Sequence, residues 1–246
     1  TEPEMCRLVS DRMRDKIVFI ADGHHRYATA RLYRNEMRRK EQKNTGLEPY
    51  DYVMMTLVAI EDEGLAIHPP HRLLSGLRNF DGAAFLDELE EHFEVVPVLQ
   101  PGALSDQVAA LVRLMANGAG TEQKFGVLLR DTEPRLLTLK HEMNAHPWLG
   151  AIRDSVRTDF DVPILHRLVI EGMLGVSATC GKRIRYNPNE LEAAQLVQSG
   201  EVQLALLLNP PTPEDVKEVS LAGELMPHKS TYFYPKLLTG LVMNKL

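Results

Sequence analysis

Cysteine is scarce in this 246-residue sequence, which contains only Cys6 and Cys180. Two cysteines cannot form the disulfide framework that staples a small secreted domain. Neither belongs to a Cys-x-x-Cys pair, and the predicted location is therefore the reducing cytoplasm. A Walker-type phosphate loop is missing as well, because Lys229-Ser230-Thr231 lacks the preceding glycines that such a loop requires.

Long apolar runs and an excess of positive charge are also absent. No stretch reaches the roughly 18 apolar residues that cross a bilayer, so no membrane partner is expected. The sequence has 28 Lys and Arg against 34 Asp and Glu, for a net charge of −6. This balance argues against general nucleic-acid binding. With 44% hydrophobic and 25% charged residues, the composition is typical of a globular protein of one or two domains.

The residues that carry chemistry concentrate between positions 16 and 40. Ile17–Ala21 is a short apolar run rich in β-branched residues, which predicts a buried strand. Asp22 and Gly23 break that pattern. After them, apolar residues recur at the spacing of a helix and lie on one side of it. Basic residues lie on another side, which is predicted to be solvated. The apolar side contains Ala28, Leu32, Tyr33 and Met37, and the basic side contains Arg31, Arg34, Arg38, Arg39 and Lys40.

The predicted turn between strand and helix favours an anion. A helix N terminus has unpaired N–H groups and a partial positive charge, and Gly23 allows a ligand to approach the backbone. His24, His25 and Arg26 add donors, and the planar guanidinium can hold a phosphate through two hydrogen bonds. Asp22 can bind Mg²⁺ or accept a hydroxyl proton. From spacing alone, an Asp-Gly turn beside a surface arginine is an equal alternative.

Four stretches carry a resemblance to a known family. I-A-D-G-H-H-R-Y-A-T-A at residues 20–30 is similar to the signature of a bacterial and archaeal family of uncharacterised proteins, domain of unknown function ten-fifteen. Three later stretches resemble it in the same order: I-H-P-P-H-R-L-L at Ile67–Leu74, D-V-P-I-L-H-R-L-V-I at Asp161–Ile170 and M-P-H-K-S-T-Y-F-Y-P-K-L at Met226–Leu237. Chains of that family are longer, with a segment before the D-G-H-H-R motif. The resemblance therefore implies a C-terminal part of such a chain.

A more distant resemblance is to the ParB/sulfiredoxin-like fold, in which a phosphate motif also lies between a strand and a helix. Sulfiredoxins have G-C-H-R there, and His24 stands in place of their nucleophilic cysteine, so their reaction is not implied. ParB proteins bind CTP, and a related free-serine kinase transfers a phosphoryl group. The resemblance implies phosphate binding by Gly23, His25 and Arg26, without identifying the nucleotide.

The family resemblance implies further pocket residues. His71 and Arg72 follow a short predicted strand and are expected to line the same pocket as Arg26, with a neutral histidine capping a turn as the alternative. His166 lies near an apolar helical stripe and is predicted to be a core histidine. Basic residues near the C terminus are expected to reach the phosphate, with a purely structural role as the alternative: His228, Lys229 and Lys236.

The rest of the chain predicts a fold of class α/β to α+β, with mixed sheets and helices. Residues 1–78 are the predicted motif domain, and residues 79–246 are a second α+β part that returns to pack on the first. The most specific predictions are a buried strand at Tyr52–Ile60, helices at Leu104–Ala116 and Glu190–Gln198, a hairpin of Phe125–Leu129 with Leu136–Leu139, and a strand at Val202–Leu208.

Two functions fit these residues. The first is a nucleotide-dependent phosphotransferase for a small metabolite, or a nucleotide hydrolase, using Mg²⁺ with ATP, ADP or CTP. Asp22 and His24 are its candidate catalytic residues, and Asp22 is also its candidate metal ligand. The second is a non-catalytic module that senses a nucleotide or another small anion.

Overall fold

The computed structural model describes residues 2–119, 121–141, 143, 161–177, 183–227, 229–238, 240, 241 and 243. The chain clusters into two compact units, Thr1–Leu65 with Pro235–Leu246 and Ala66–Tyr234. The domain division between residues 78 and 79 stays a prediction.

The described residues of the smaller unit form two helices and one short turn of 3₁₀-helix. Helix α1 spans Pro3–Met13, helix α2 spans His24–Glu41, and the 3₁₀ turn spans Pro49–Asp51. Neither α1 nor α2 buries a residue. Arg38, which was predicted to be solvated, is instead partly buried and lies 2.6 Å from Asp51, so it ties α2 to the 3₁₀ turn.

Two predicted strands of the smaller unit do not form. Ile17–Ala21, before the D-G-H-H-R motif, and Tyr52–Ile60 are neither helix nor strand. Their apolar side chains are exposed, for example Ile17 at 69% and Met55 at 61%. β-Branched and apolar residues favour a strand only where a neighbouring strand packs beside them. Within the described part of the chain, neither segment is paired in a sheet.

The larger unit is built on a six-stranded antiparallel sheet. Its strands are β2 (His71–Leu74), β3 (Phe93–Pro97), β4 (Lys124–Leu129), β5 (Arg135–Leu139), β6 (Ile184–Asn187) and β7 (Leu204–Leu208). Their order is β3-β5-β4-β7-β2-β6. A separate antiparallel pair joins β1 (Ala66–His68) to β8 (Tyr232–Tyr234).

Helices cover both faces of this sheet. Strand β7 alternates its side chains between two apolar clusters, with Leu206 in one and Leu207 in the other, as a period of two requires. One face packs on α3 (Gly82–Leu89), and the opposite face packs on α4 (Leu104–Ala116) and α6 (Glu190–Gln198). Helix α7 spans Pro213–Leu221, and a Thr212–Asp215 capping box begins it.

The helix over the α3 face has an uncommon form. Helix α5 (Asp161–Ile164) continues directly into a nine-residue π-helix, Leu165–Met173. Leu165 and Val169 on this segment are fully buried, as the apolar stripe predicts. A π-helix is rare and is often found at functional sites.

The predicted fold class is confirmed, and so are several elements. Helices α4 and α6 have the predicted bounds, and β4 and β5 form the predicted hairpin. Strand β7 begins at Leu204, two residues later than predicted. None of the helices formed by the described residues combines the length and apolarity needed to cross a bilayer.

Candidate functional site

The N terminus of α2 forms the candidate site in the smaller unit. Gly23 caps the helix with φ at +85°, a left-handed conformation that glycine adopts without steric strain. His24, His25 and Arg26 form the exposed first turn, which contains no acidic residue. Within the described residues no side chain caps this end. The backbone N–H groups of the turn can therefore bind an anion.

The side chain of Arg26 folds back over Gly23. A Cβ atom placed on Gly23 would lie 2.9 Å from Arg26 Nη2 and 3.0 Å from its Nε. Any other residue at position 23 would therefore displace the guanidinium and strain the backbone. Gly23 therefore allows the left-handed turn and also leaves space for the guanidinium of Arg26.

Asp22 lies between two cations at this helix end. Its Oδ2 atom is 3.5 Å from Arg26 Nη2 and 3.6 Å from Lys236 Nζ. The side chains are 55% exposed for Asp22, 74% for Arg26 and 38% for Lys236, so each pair contributes at most about 1 kcal/mol in water. The structure therefore brings Asp22, Gly23, Arg26 and Lys236 together, while their role in binding phosphate stays a prediction.

Within the described part of the chain, Asp22 supplies the carboxylate of this site. Among the residues that the structure describes, no group of three or more His, Cys, Asp or Glu side chains could hold a metal ion. Mg²⁺ in nucleotide sites is commonly bound by one or two carboxylates together with phosphate oxygens and water. Asp22 fits that arrangement only when a ligand supplies the phosphate, and its role as a magnesium ligand stays a prediction.

His71 begins β2 in the larger unit and is buried. Its Nδ1 atom accepts a hydrogen bond from the backbone N–H of Leu208 at 3.2 Å. Burial, with smaller effects of the charges on Arg72 and His68, lowers the pKa of His71 to about 4. The imidazole is therefore neutral near pH 7 and holds β2 against β7 as an acceptor.

Arg72 is fully buried beside His71. Its Nε donates to His166 Nε2 at 3.0 Å, its Nη1 donates to the carbonyl of Pro70, and its Nη2 donates to the carbonyl of Lys229 at 2.9 Å. Burial lowers the pKa of Arg72 to about 10. Arg72 thus joins the start of β2, the π-helix and the turn at Lys229.

The remaining predicted residues are placed as follows. Lys229 is exposed in the larger unit, and its Nζ lies 5.7 Å from the centroid of the Tyr186 ring. His228 lies outside the described residues. His71, Arg72 and Lys229 belong to the larger unit, whereas Arg26 belongs to the smaller one. A pocket shared by these residues stays a prediction.

Sequence reasoning did not identify Tyr186 as part of a site and assigned His166 to the core. His166 is half-buried and accepts a hydrogen bond from Arg72 Nε, as a satisfied histidine does. Tyr186 lies opposite Arg72 in the pairing of β2 with β6, and such a register is not visible in local spacing.

Acidification should destabilise the protein through His71. Its pKa is about 4 in the folded state and about 6.5 when unfolded. A lowered pKa means that its contribution is complete above pH 6.5 and is lost as the pH falls from 6.5 toward 4. Between pH 7 and pH 5 we expect a loss on the order of 2 kcal/mol in the free energy of unfolding.

Urea unfolding of the parent and of a His71→Asn variant at both pH values tests this prediction. The amide oxygen of the variant can accept from Leu208 N–H without titrating, so its free energy of unfolding should fall less on acidification. Equal losses in the two proteins would show that His71 does not titrate in this way.

Comparison with models of known protein families identifies a family for this chain. The sequence profile of DUF1015, described as a protein of unknown function, matches residues 1–167. The chain belongs to the DUF1015 family. The matched part contains the D-G-H-H-R turn, the His71-Arg72 pair and His166. The predicted family is therefore confirmed.

No curated protein sequence matches this DUF1015 chain. Similar solved structures include a conserved hypothetical protein from Pyrococcus furiosus, with 15% identity and a TM-score of 0.40 over 87% of this chain and 68% of that one. A free serine kinase in complex with AMP has 15% identity and a TM-score of 0.38, and a variant of that kinase in complex with ADP has 14% and 0.40. Both kinase matches cover 87% of this chain and 66% of the kinase. Similarity at this level assigns no ligand to the DUF1015 chain.

Proposed function

We propose that this DUF1015 chain binds a phosphate-bearing small molecule, of the nucleotide class, at the N terminus of α2. One observation carries the proposal: Arg26 and Lys236 converge on the same oxygen of Asp22 beside the uncapped first turn of the helix. Among the residues that the structure describes, Asp22 is the carboxylate that both cations and the helix N terminus face. A phosphate group complements this excess of positive charge better than the carboxylate alone.

Phosphate binding would redistribute the contacts of Asp22. The guanidinium of Arg26 and the ammonium of Lys236 would turn from the carboxylate to the phosphate oxygens, whose charge is larger. The first-turn N–H groups, at His24 and His25, would donate to the same phosphate. Asp22 would then be released to hold Mg²⁺ between itself and the phosphates, or to accept a proton from a hydroxyl group.

In the catalytic form of this proposal, the chain transfers a phosphoryl group to a small metabolite or to water. Positioning and charge neutralisation supply most of such catalysis. The first turn of α2 contains no acidic residue, and one carboxylate cannot bind the metal and act as base at once. If Asp22 binds Mg²⁺, we assign the proton acceptor to His24, which is exposed in the first turn of the helix.

The lack of an acidic residue in the first turn of α2 favours a second candidate, a non-catalytic module that senses a nucleotide or another small anion. A sensing module needs the cations and the helix N terminus but no dedicated base. A turnover assay with ATP, ADP or CTP separates the two candidates. Product formation that is lost in His24→Ala, with binding retained, would assign catalysis. The cytoplasmic location expected from the cysteine content belongs to the same proposal.

The proposal predicts that affinity depends on phosphate and not on the nucleoside. Calorimetric titration of the chain with ATP, ADP and CTP in the presence of Mg²⁺ should show binding, and adenosine at the same concentrations should show none. Binding of adenosine as tight as that of ADP would contradict a phosphate site. Absence of binding by all three nucleotides would contradict the nucleotide class.

A further inference from the structure

The loop between α4 and β4 begins with the dipeptide Asn117-Gly118, and an asparagine followed by glycine occurs nowhere else in the sequence. The backbone nitrogen that follows an asparagine can attack its side-chain amide carbon, and glycine has no Cβ atom to block this approach. Asn117 is the C-cap of α4, with φ at −73° and ψ at 114°. This backbone is extended, so the hydrogen bonds of the helix do not restrain rotation at Asn117.

The two groups that would react are not held by other contacts. The side chain of Asn117 is exposed. Among the described residues, neither its amide group nor the backbone N–H of Gly118 forms a hydrogen bond. In a continuing helix, that N–H would be bonded to the carbonyl four residues earlier. The amide can therefore turn toward the Gly118 nitrogen without breaking a hydrogen bond.

The carboxylate of Glu122 lies against Gly118. A Cβ atom placed on Gly118, whose φ is +83°, would lie 2.8 Å from Glu122 Oε2. The loop fixes this arrangement, because the backbone N–H groups of Thr121 and Glu122 both donate to the carbonyl of Gly118, at 3.1 and 3.0 Å. A carboxylate held beside a nucleophilic N–H group can accept its proton as a general base.

Lys124 contacts the peptide bond between Asn117 and Gly118. Its Nζ donates to the carbonyl of Asn117 at 2.6 Å and lies 2.7 Å from Glu122 Oε2. The Lys124 side chain is only 12% exposed, so water screens its charge weakly. When the Gly118 nitrogen loses its proton, negative charge spreads to this carbonyl oxygen. An ammonium group already fixed there stabilises that charge.

We propose that Asn117 is a site of autocatalytic deamidation, in which Glu122 is the base and Lys124 stabilises the charge on the Asn117 carbonyl. The Gly118 nitrogen attacks Cγ of Asn117 and gives its proton to Glu122. Glu122 passes the proton to the side-chain nitrogen, which leaves as ammonia, and a cyclic succinimide remains. Water then opens the ring to aspartate or isoaspartate at position 117. The modification lies outside the proposed function, because none of its residues belongs to the first turn of α2.

Deamidation changes the end of α4. A carboxylate at position 117 meets the negative end of the helix dipole, which disfavours it. Isoaspartate also places an additional carbon in the backbone before Gly118, which disturbs the two hydrogen bonds that the Gly118 carbonyl accepts from Thr121 and Glu122. We therefore expect aged protein to unfold at a lower temperature than fresh protein.

The test is incubation of the folded chain at mildly alkaline pH, followed by peptide mapping with mass spectrometry. Asn44 is the reference within the same digest, because it is exposed and is followed by threonine. We expect Asn117 to deamidate faster than Asn44. Glu122→Gln and Lys124→Gln should each slow the reaction at Asn117 at least about tenfold. Lys124→Arg keeps the charge and should retain most of the rate.

Glu133→Gln and Lys217→Gln are the matched controls, because each removes one charge from an exposed residue elsewhere in the larger unit. They should leave the rate unchanged, and thermal unfolding before incubation shows which variants are folded. The proposal is overturned if Asn117 reacts no faster than the reference asparagine, or if the two test variants react as fast as these controls. Formation of aspartate without isoaspartate would also overturn it, because a succinimide opens to both.

Discussion

Replacement of Arg72 by Ala should lower the free energy of unfolding by about 4 kcal/mol. The side chain is fully buried, so its removal leaves a cavity. It also leaves the carbonyls of Pro70 and Lys229 and the Nε2 atom of His166 without their donor. Of these three acceptors Pro70 is the buried one, and an unsatisfied buried acceptor costs roughly 1–3 kcal/mol. Urea denaturation monitored by circular dichroism measures the loss.

Arg185→Ala is the matched control for this prediction. Arg185 lies on β6, next to the residue that faces Arg72, and its half-exposed side chain pairs with Glu201. An exposed ion pair of this kind contributes at most about 1 kcal/mol. Similar losses for the two variants would mean that the contacts of Arg72 do not hold the larger unit together. Arg72→Met should be less harmful than Arg72→Ala, because the apolar side chain fills the space without burying a charge.

Replacement of Arg26 by Ala should weaken nucleotide binding about 30-fold. The loss corresponds to one charge-assisted interaction of about 2 kcal/mol between the guanidinium and a phosphate. Calorimetric titration with ADP and Mg²⁺ measures it. Arg26 is largely exposed, at 74% of its side chain, so the melting temperature should not change.

Arg39→Ala is the control for Arg26→Ala. Arg39 is exposed in the last turn of the same helix, so its removal changes the net charge equally but leaves the first turn intact. Arg38 would be unsuitable, because its pair with Asp51 is structural. The affinity for ADP could change less than twofold in Arg26→Ala, or it could change equally in Arg26→Ala and Arg39→Ala. Either result would show that Arg26 does not bind the phosphate.

Elements specified by nearby residues were predictable from the sequence. Helix α4 has apolar residues at helical spacing and ends before Asn117-Gly118, and its predicted bounds are those observed. The hairpin of β4 and β5 combines two apolar runs with a short polar connection. The turn at Gly23 was predictable for the same reason, because Asp22-Gly23 interrupts an apolar run and a helix follows.

Features that depend on distant partners were not predictable in this way. Ile17–Ala21 has strand-forming residues, but a strand forms only where a neighbouring strand pairs with it. The composition of this segment alone does not show whether such a neighbour exists. The ion pair of Arg38 with Asp51 and the position of Tyr186 opposite Arg72 depend on how separate segments pack. The proximity of Lys236 to Asp22 was an expectation from the family resemblance, not from spacing.

The most direct test of a phosphate at α2 is a titration of the ¹⁵N-labelled chain with ADP and Mg²⁺, followed by NMR. The account predicts that the backbone amide resonances of His24, His25 and Arg26 shift in a saturable manner, because their N–H groups donate to the phosphate. The same titration of Arg26→Ala should require a higher concentration for equal shifts. Saturable binding of ADP that leaves these three amides unchanged would contradict the account and place the nucleotide elsewhere on the chain.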